Sequence, residues 1–231
     1  MSALPQPSEP NFVAARLHMV DRQIRPNKVR DERVLSAFET VPREIFLPAS
    51  MAGIAYIDDD VPVATGRFLL EPMVLARLIE EARITKADRV LDVAPATGYS
   101  TAILASLASA VVGIEADSVL QKQGTQTLAS LKIANASIQL GSPAEGYATE
   151  APYNVIIVNG GAEVVPSSLF EQLAEGGRLM IVVRQYGPAH ASHAGEARIY
   201  EKIRGQISHR SLFDANVNLL EEFLAPPKFI F

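Results

Sequence analysis

A carboxylate and a run of small residues stand at a spacing that suits a ribose. The run is Ala94-Pro95-Ala96-Thr97-Gly98. It lies between the apolar stretch Val90-Leu91-Asp92-Val93 and a segment, Tyr99 to Leu107, with apolar residues on one face. The carboxylate is Glu115, 22 residues after Val93, closing the next apolar stretch, Ala110–Glu115. Strand, tight loop and helix place a ligand at a helix N-terminus, and an acid about 20 residues further on accepts bonds from both ribose hydroxyls. The bland alternative for Glu115 is a solvated charge at a strand end. Ala94 and Ala96 stand where such loops usually carry glycine, and Pro95 lies between them. Alanine adds a methyl group and disfavours positive φ, and proline removes an N–H donor. Gly98 remains at the helix start, and Asp92 supplies an acid just before the loop. The chain has no Gly-x-x-x-x-Gly-Lys motif, which argues against a phosphate loop of the nucleotidase type.

Other candidates are weaker. Gly141-Ser142-Pro143 ends the third strand, and Ser142 is equally a ligand contact for an adenine or an ordinary turn serine. Asn159-Gly160-Gly161 ends the fourth strand, where glycines suit close backbone approach to a ligand. His190, His193 and Glu196 lie in a loop with no helix to impose ligand spacing, so an exposed loop is favoured over a metal site. Asp58-Asp59-Asp60 reads as a solvated turn. Ser100 and Ser118 lack the context of a nucleophile elbow.

The elements that position these residues alternate. Strands are expected at Val90–Val93, Ala110–Glu115, Ser137–Leu140, Tyr153–Asn159 and Arg178–Val183. Helices are expected at Ser100–Leu107, Val119–Leu131 and Ser167–Leu173, the last ended by Gly176-Gly177. Such a βαβα series predicts an α/β fold with a doubly wound, mostly parallel sheet. Arg198–Ile203 and Gln206–Phe213 flank Arg204-Gly205 and predict an antiparallel hairpin. Upstream, helices are expected over Phe12–Gln23, Asp31–Glu39 (Asp31 as N-cap) and Glu71–Ala82. The prolines at 42 and 48 exclude one long helix between them, and Asp58–Arg67 reads as a connection.

The expected organisation is one domain over 1–231. It comprises a tail (1–10), an N-terminal helical segment (11–82), a ligand-binding core (88–183) and C-terminal strands with a tail (184–231). The chain is 48% hydrophobic and 20% charged, with a formal net charge of −5, so composition favours neither nucleic acid nor membrane as partner. It lacks cysteine, which excludes disulfides, thiolate metal sites and a cysteine nucleophile. No apolar run approaches the ~20 residues that span a bilayer, and the proline-rich start has no signal-peptide pattern. The expected location is the cytoplasm.

Taken together, these residues resemble the protein-L-isoaspartate O-methyltransferases. The most specific match is Arg33 to Pro48, RVLSAFETVPREIFLP, which follows the family signature "RVLxAFxxVPRExFxP". Met19–Ile24, Ala55-Tyr56, Ala151–Val158, Leu173–Val182 and Leu212-Phe213-Asp214 extend it, and the whole covers roughly residues 17–220. The resemblance implies a Rossmann-like class I methyltransferase. It implies S-adenosyl-L-methionine as cofactor and, as substrate, the α-carboxylate of isoaspartyl residues in a damaged protein or peptide. Asp92, Ala94, Ala96, Thr97, Gly98, Glu115, Ser142, Pro143 and Asn159 then become the cofactor-binding positions. Three departures accompany it. The family's "GTGSG" loop is Ala94–Gly98; the acid usual at the adenine position is Ser142; and the substrate segment "GQTISQP" reads Gly66-Arg67-Phe68-Leu69-Leu70-Glu71-Pro72. Leu70 takes the place of the family's serine, so Leu70 and Arg67 are the candidate catalytic positions, Arg67 as a two-pronged partner for a carboxylate or as a surface charge. The departures also define the alternative: a paralogue without isoaspartate activity, serving as a binding or regulatory module or methylating another substrate.

Overall fold

The computed structural model describes residues 11–184 and 195–226. The expected tail 1–10, the histidines at 190 and 193, and the apolar end Phe229-Ile230-Phe231 lie outside them.

The N-terminal segment is helical. Helix α1 (Phe12–Met19) starts at Asn11, whose side chain accepts the Ala14 N–H. It runs on through a π-helical turn, Val20–Ile24, and a 3-10 turn, Arg25–Asn27, beyond the expected break at Pro26. Helix α2 (Glu32–Thr40) is capped by Asp31, which accepts the Arg33 N–H, and buries Val34, Leu35 and Phe38 on one face. A 3-10 turn, Arg43–Phe46, fills the proline-bracketed stretch.

The connection expected at Asp58–Arg67 is instead a small hairpin. Strands β1 (Val61–Ala64) and β2 (Arg67–Leu69) pair antiparallel, and Gly66 turns at φ +67°. Strands of four and three residues, one with an internal proline, carry too little alternation to be read from sequence. Helix α3 (Pro72–Ala82) follows, with proline in its first turn.

The core is a seven-stranded sheet in the order β5-β4-β3-β6-β7-β8-β9. Its first five members are β3 (Arg89–Val93), β4 (Ala110–Glu115), β5 (Ala136–Leu140), β6 (Tyr153–Ala162) and β7 (Leu173–Val183). They run parallel. Strands β8 (Gly195–Ile203) and β9 (Gln206–Ala215) add the antiparallel edge, and both residues of their turn have positive φ, Arg204 at 52° and Gly205 at 73°. The connecting helices are α4 (Tyr99–Ala105), α5 (Ser118–Ser130) and α6 (Ser167–Glu171).

Alternate residues of the strands enter two cores. Val90, Val155, Ile157 and Met180 pack with the N-terminal helices and with α3, α4 and α5. Leu91, Val93, Ile156, Val158 and Ile181 pack with Leu169 of α6 and with Leu220 and Phe223 of the C-terminal segment. Several boundaries differ from expectation: β8 starts three residues early at Gly195, β9 ends two residues late at Ala215, and α4 stops at Ala105. Helix α6 stops at Glu171, and Gly176-Gly177 lie inside β7, where the pairing with β6 is irregular between Tyr153 and Val155 and Gly176 takes φ +74°. The glycines make a bulge in a strand rather than a helix stop. Strand β6 also runs three residues past Asn159, where Gly161 and Ala162 pair with Val182 and Val183 of β7 and Gly161 also bridges to Leu219 of the C-terminal segment.

Candidate methyl-donor site

The chain order reverses about β3, which has β4 on one side and β6 on the other. In open α/β sheets ligands bind outside the carboxyl ends of the strands at such a point. The loop 94–98 leaves β3 there. Ala94 and Ala96 take φ +54° and +53°, and Gly98 +90°. The two alanines thus hold the left-handed backbone that glycine adopts freely, at a cost of about 1 kcal/mol or more each. The backbone course expected of a glycine loop is kept although the residues are not.

Three hydrogen bonds, two to β4 and one to the N-terminal turn, hold this loop. The Ala94 N–H donates to the Ile114 carbonyl at 2.9 Å. The Ala96 N–H donates to Glu115 Oε2 at 2.9 Å. Thr97 Oγ1 donates to the Phe46 carbonyl at 2.6 Å, which ties the loop to the N-terminal turn. Behind it, the Tyr99 ring packs edge-on to Phe46 and Phe38, and the Arg43 guanidinium lies 4.8 Å from its centroid. Sequence reasoning did not single out Arg43 as a positioning residue. It is fully buried, donates to the carbonyls of Ala55 (2.7 Å) and Leu70 (3.0 Å), and burial holds its pKa below the ordinary value.

Asp92 is a structural hub. Its Oδ2 accepts Ser100 Oγ and Thr101 Oγ1, both at 2.7 Å, and its Oδ1 accepts Asn159 Nδ2 at 2.6 Å. It thereby joins β3, α4 and β6. Burial pushes its pKa up to about 6 despite the three donors. Asn159 also donates to the Val93 carbonyl, so its amide is engaged inside the sheet.

Glu115 is fully buried at the end of β4. Its Oε1 accepts the Asp117 N–H (3.1 Å) and Arg67 Nε (2.9 Å). Arg67 is therefore no surface charge: it is 7% exposed and reaches from β2 across the crevice. Its guanidinium also pairs with Glu222, and Nη1 donates to the Gly66 carbonyl at 3.1 Å. Burial works against its charge, yet Glu222 and Glu115 outweigh burial and raise its pKa.

The remaining candidates fall as follows. Leu70 is 3% exposed and packed in the core, and its backbone carbonyl is taken up by the buried Arg43. Ser142 sits in a turn, its carbonyl accepting the N–H groups of Glu145 and Gly146, and Pro143 beside it is buried. Gly160 and Gly161 meet Leu220 and Leu219 of the C-terminal segment, which takes the close approach expected of a ligand. Asp58 and Asp59 are exposed, but Asp60 is not a solvated turn residue: it accepts the Glu71 N–H and Asn218. Glu196 pairs with Arg198. Among the described residues no cluster of acidic or histidine side chains is grouped to hold a metal. A cavity of about 330 Å³ adjoins Thr97 on the α5 side, lined by Phe46, Leu47, Gln123 and Gln126 among others.

A seven-stranded sheet with this order, a turned loop after its first parallel strand and an acid at the end of the second define a Rossmann-like nucleoside-binding protein of the methyltransferase type. Comparison with known proteins narrows the class. Residues 14–210 match the family model described as protein-L-isoaspartate(D-aspartate) O-methyltransferase. A protein-L-isoaspartate O-methyltransferase of Koribacter versatilis is 41% identical over 177 residues, 77% of this chain and 80% of that one. One from Opitutus terrae is 38% identical over 177 residues, covering 77% and 75%. A structure from Plasmodium falciparum, named for the same activity and solved with S-adenosyl-L-homocysteine, superposes with a TM-score of 0.75 at 22% identity, covering 93% of this chain and all of that one. The chain belongs to the protein-L-isoaspartate O-methyltransferase family.

Proposed function

We propose that this protein transfers a methyl group from S-adenosyl-L-methionine to the α-carboxylate of L-isoaspartyl residues in damaged proteins or peptides, the first step of their repair. Family membership carries the reaction class. The observation that carries the cofactor is Glu115, a buried carboxylate at the end of β4 that accepts the N–H of the loop residue Ala96. The residues fit the group in type and place: an acid for the ribose hydroxyls, and a loop whose alanines keep the glycine-like backbone beside it.

The cofactor, when bound, supplies an already activated methyl group. The protein then needs to bind, align and exclude water. Glu115 would hold the ribose side, with the Ala96 N–H fixing its carboxylate against the loop. Asp92 fixes the loop from behind by joining β3, α4 and β6, and Thr97 docks it on the N-terminal turn. The N-terminal turn touches the loop at Phe46, and the β1–β2 hairpin reaches into the crevice through Arg67. Leu70 offers no hydroxyl for a substrate carboxylate. We place the protein in the cytoplasm as a single domain acting on protein, without nucleic acid or membrane as partner. That reading rests on its composition and on the finding that no described helix is long and apolar enough to cross a membrane.

Titration calorimetry with S-adenosyl-L-homocysteine tests the cofactor assignment. Saturable one-to-one binding is expected. No heat at millimolar ligand contradicts every methyltransferase reading.

A further inference from the structure

Glu115 has two oxygens and about four acceptor positions. Oε1 already accepts the Asp117 N–H and Arg67 Nε, and Oε2 accepts the Ala96 N–H. One acceptor position is left, whereas the two hydroxyls of a ribose call for two. Of the three donors, the two N–H groups belong to the backbone beside the acid. Arg67 is the donor whose departure frees a position without unfolding the loop.

Arg67 is gripped from the other side by the C-terminal segment. Residues 216–224 cross the carboxyl end of β6. Leu220 packs on Gly160, the Gly161 N–H donates to the Asn218 carbonyl at 2.8 Å, and the Phe223 carbonyl accepts the N–H groups of Glu163 and Val164. This strap carries Glu222 in its 3-10 turn, Glu221–Phe223, and Glu222 closes on the Arg67 guanidinium. Its side chain is 24% exposed and that of Arg67 9%, whereas Glu115 is fully buried. The guanidinium thus has one partner inside the crevice and one at its mouth. We propose that Arg67 is a clasp on the ribose acid: it must let go of Glu115 before a nucleoside can bind, and Glu222 on the strap steadies it in the closed position. The proposal deepens the methyl-donor reading of the same site and rests on it. Breaking a buried ion pair costs free energy, and that cost is taken from the affinity for the ligand. The strap thereby couples the C-terminal segment to occupancy of the crevice.

The test is S-adenosyl-L-homocysteine affinity of the full-length wild type, Arg67→Gln and Glu222→Gln, with thermal melts to show that each is folded. Arg67→Gln keeps a polar side chain of similar reach without the charge, and Glu222→Gln leaves the crevice residues untouched. The clasp predicts binding at least about tenfold tighter for Arg67→Gln and about threefold tighter for Glu222→Gln. Should Arg67→Gln fail to fold, Glu222→Gln decides alone. Wild-type binding that is unchanged or stronger than in the folded variants overturns the clasp and leaves the methyl-donor reading standing. No binding by any of the three at millimolar ligand overturns both.

Discussion

Asp92 shows how one side chain can serve the site from behind. It touches no crevice surface, being fully buried, and its three donors come from α4 and β6. Burial raises its pKa from 3.8 in the unfolded reference to about 6. The sign of the pH effect follows. Between about pH 4 and 6 the unfolded chain is ionised here while the folded chain still holds the proton, so this group lowers stability as pH rises, by at most about 1.4 kcal/mol per unit. Above about pH 6 both states are ionised and the loss stays constant. Asp92→Asn cannot titrate. Its unfolding free energy minus that of the wild type, from urea titrations at pH 4, 5, 6 and 7, is expected to rise up to about pH 6 and then level off. A difference that is flat with pH contradicts the account. At this scale the sequence was readable in kind: the acid before the loop and the acid at the end of the second strand stand where spacing places them. Arg67 was not readable, because its partners are 48 and 155 residues away and only the folded crossing of hairpin and strap brings them together.

At the scale of elements, the loop and helices α4 and α5 lock together. Ala94 and Ala96 are strained at positive φ but buried, so Ala94→Gly or Ala96→Gly relieves about 1 kcal/mol of strain and gives up a buried methyl group worth about 0.8 kcal/mol. Each is expected to change stability by less than about 1 kcal/mol. Ala102→Gly, in the buried interior of α4, has no strain to relieve and is expected to cost about 1.5 kcal/mol. Chemical denaturation distinguishes them; equal losses at all three positions contradict the strain argument. Gly124 of α5 gives a second test. Glycine to alanine in a helix ordinarily stabilises by about 1 kcal/mol. Here the new Cβ would stand 3.0 Å from the Thr97 carbonyl oxygen and 2.6 Å from Ile138 Cδ1. Gly124→Ala is therefore expected to destabilise, by about 1–3 kcal/mol, and stabilisation would contradict the packing described. The βαβ periodicity made the parallel strands legible, because buried strands are apolar throughout. The β1–β2 hairpin and the Gly176-Gly177 bulge escaped because short paired segments and bulges depend on a partner strand rather than on local pattern.

For the whole molecule, fold and family agree over the greater part of the chain. Fold class and the N-terminal signature were legible from sequence, and the structure buries Arg43 and Phe46 of that signature under the loop; the order of strands in the sheet was not read from sequence. What the residue pattern could not supply was how the crevice is closed, since this rests on three segments distant in sequence. The account's central claim is methyl transfer to isoaspartyl carboxylates, and its most direct test is incorporation of labelled methyl from S-adenosyl-L-methionine into a peptide with one L-isoaspartyl residue, beside the same peptide with L-aspartate. The account predicts a base-labile methyl ester on the isoaspartyl peptide and none above background on the aspartyl one. Label in neither peptide, or equally in both, would contradict it.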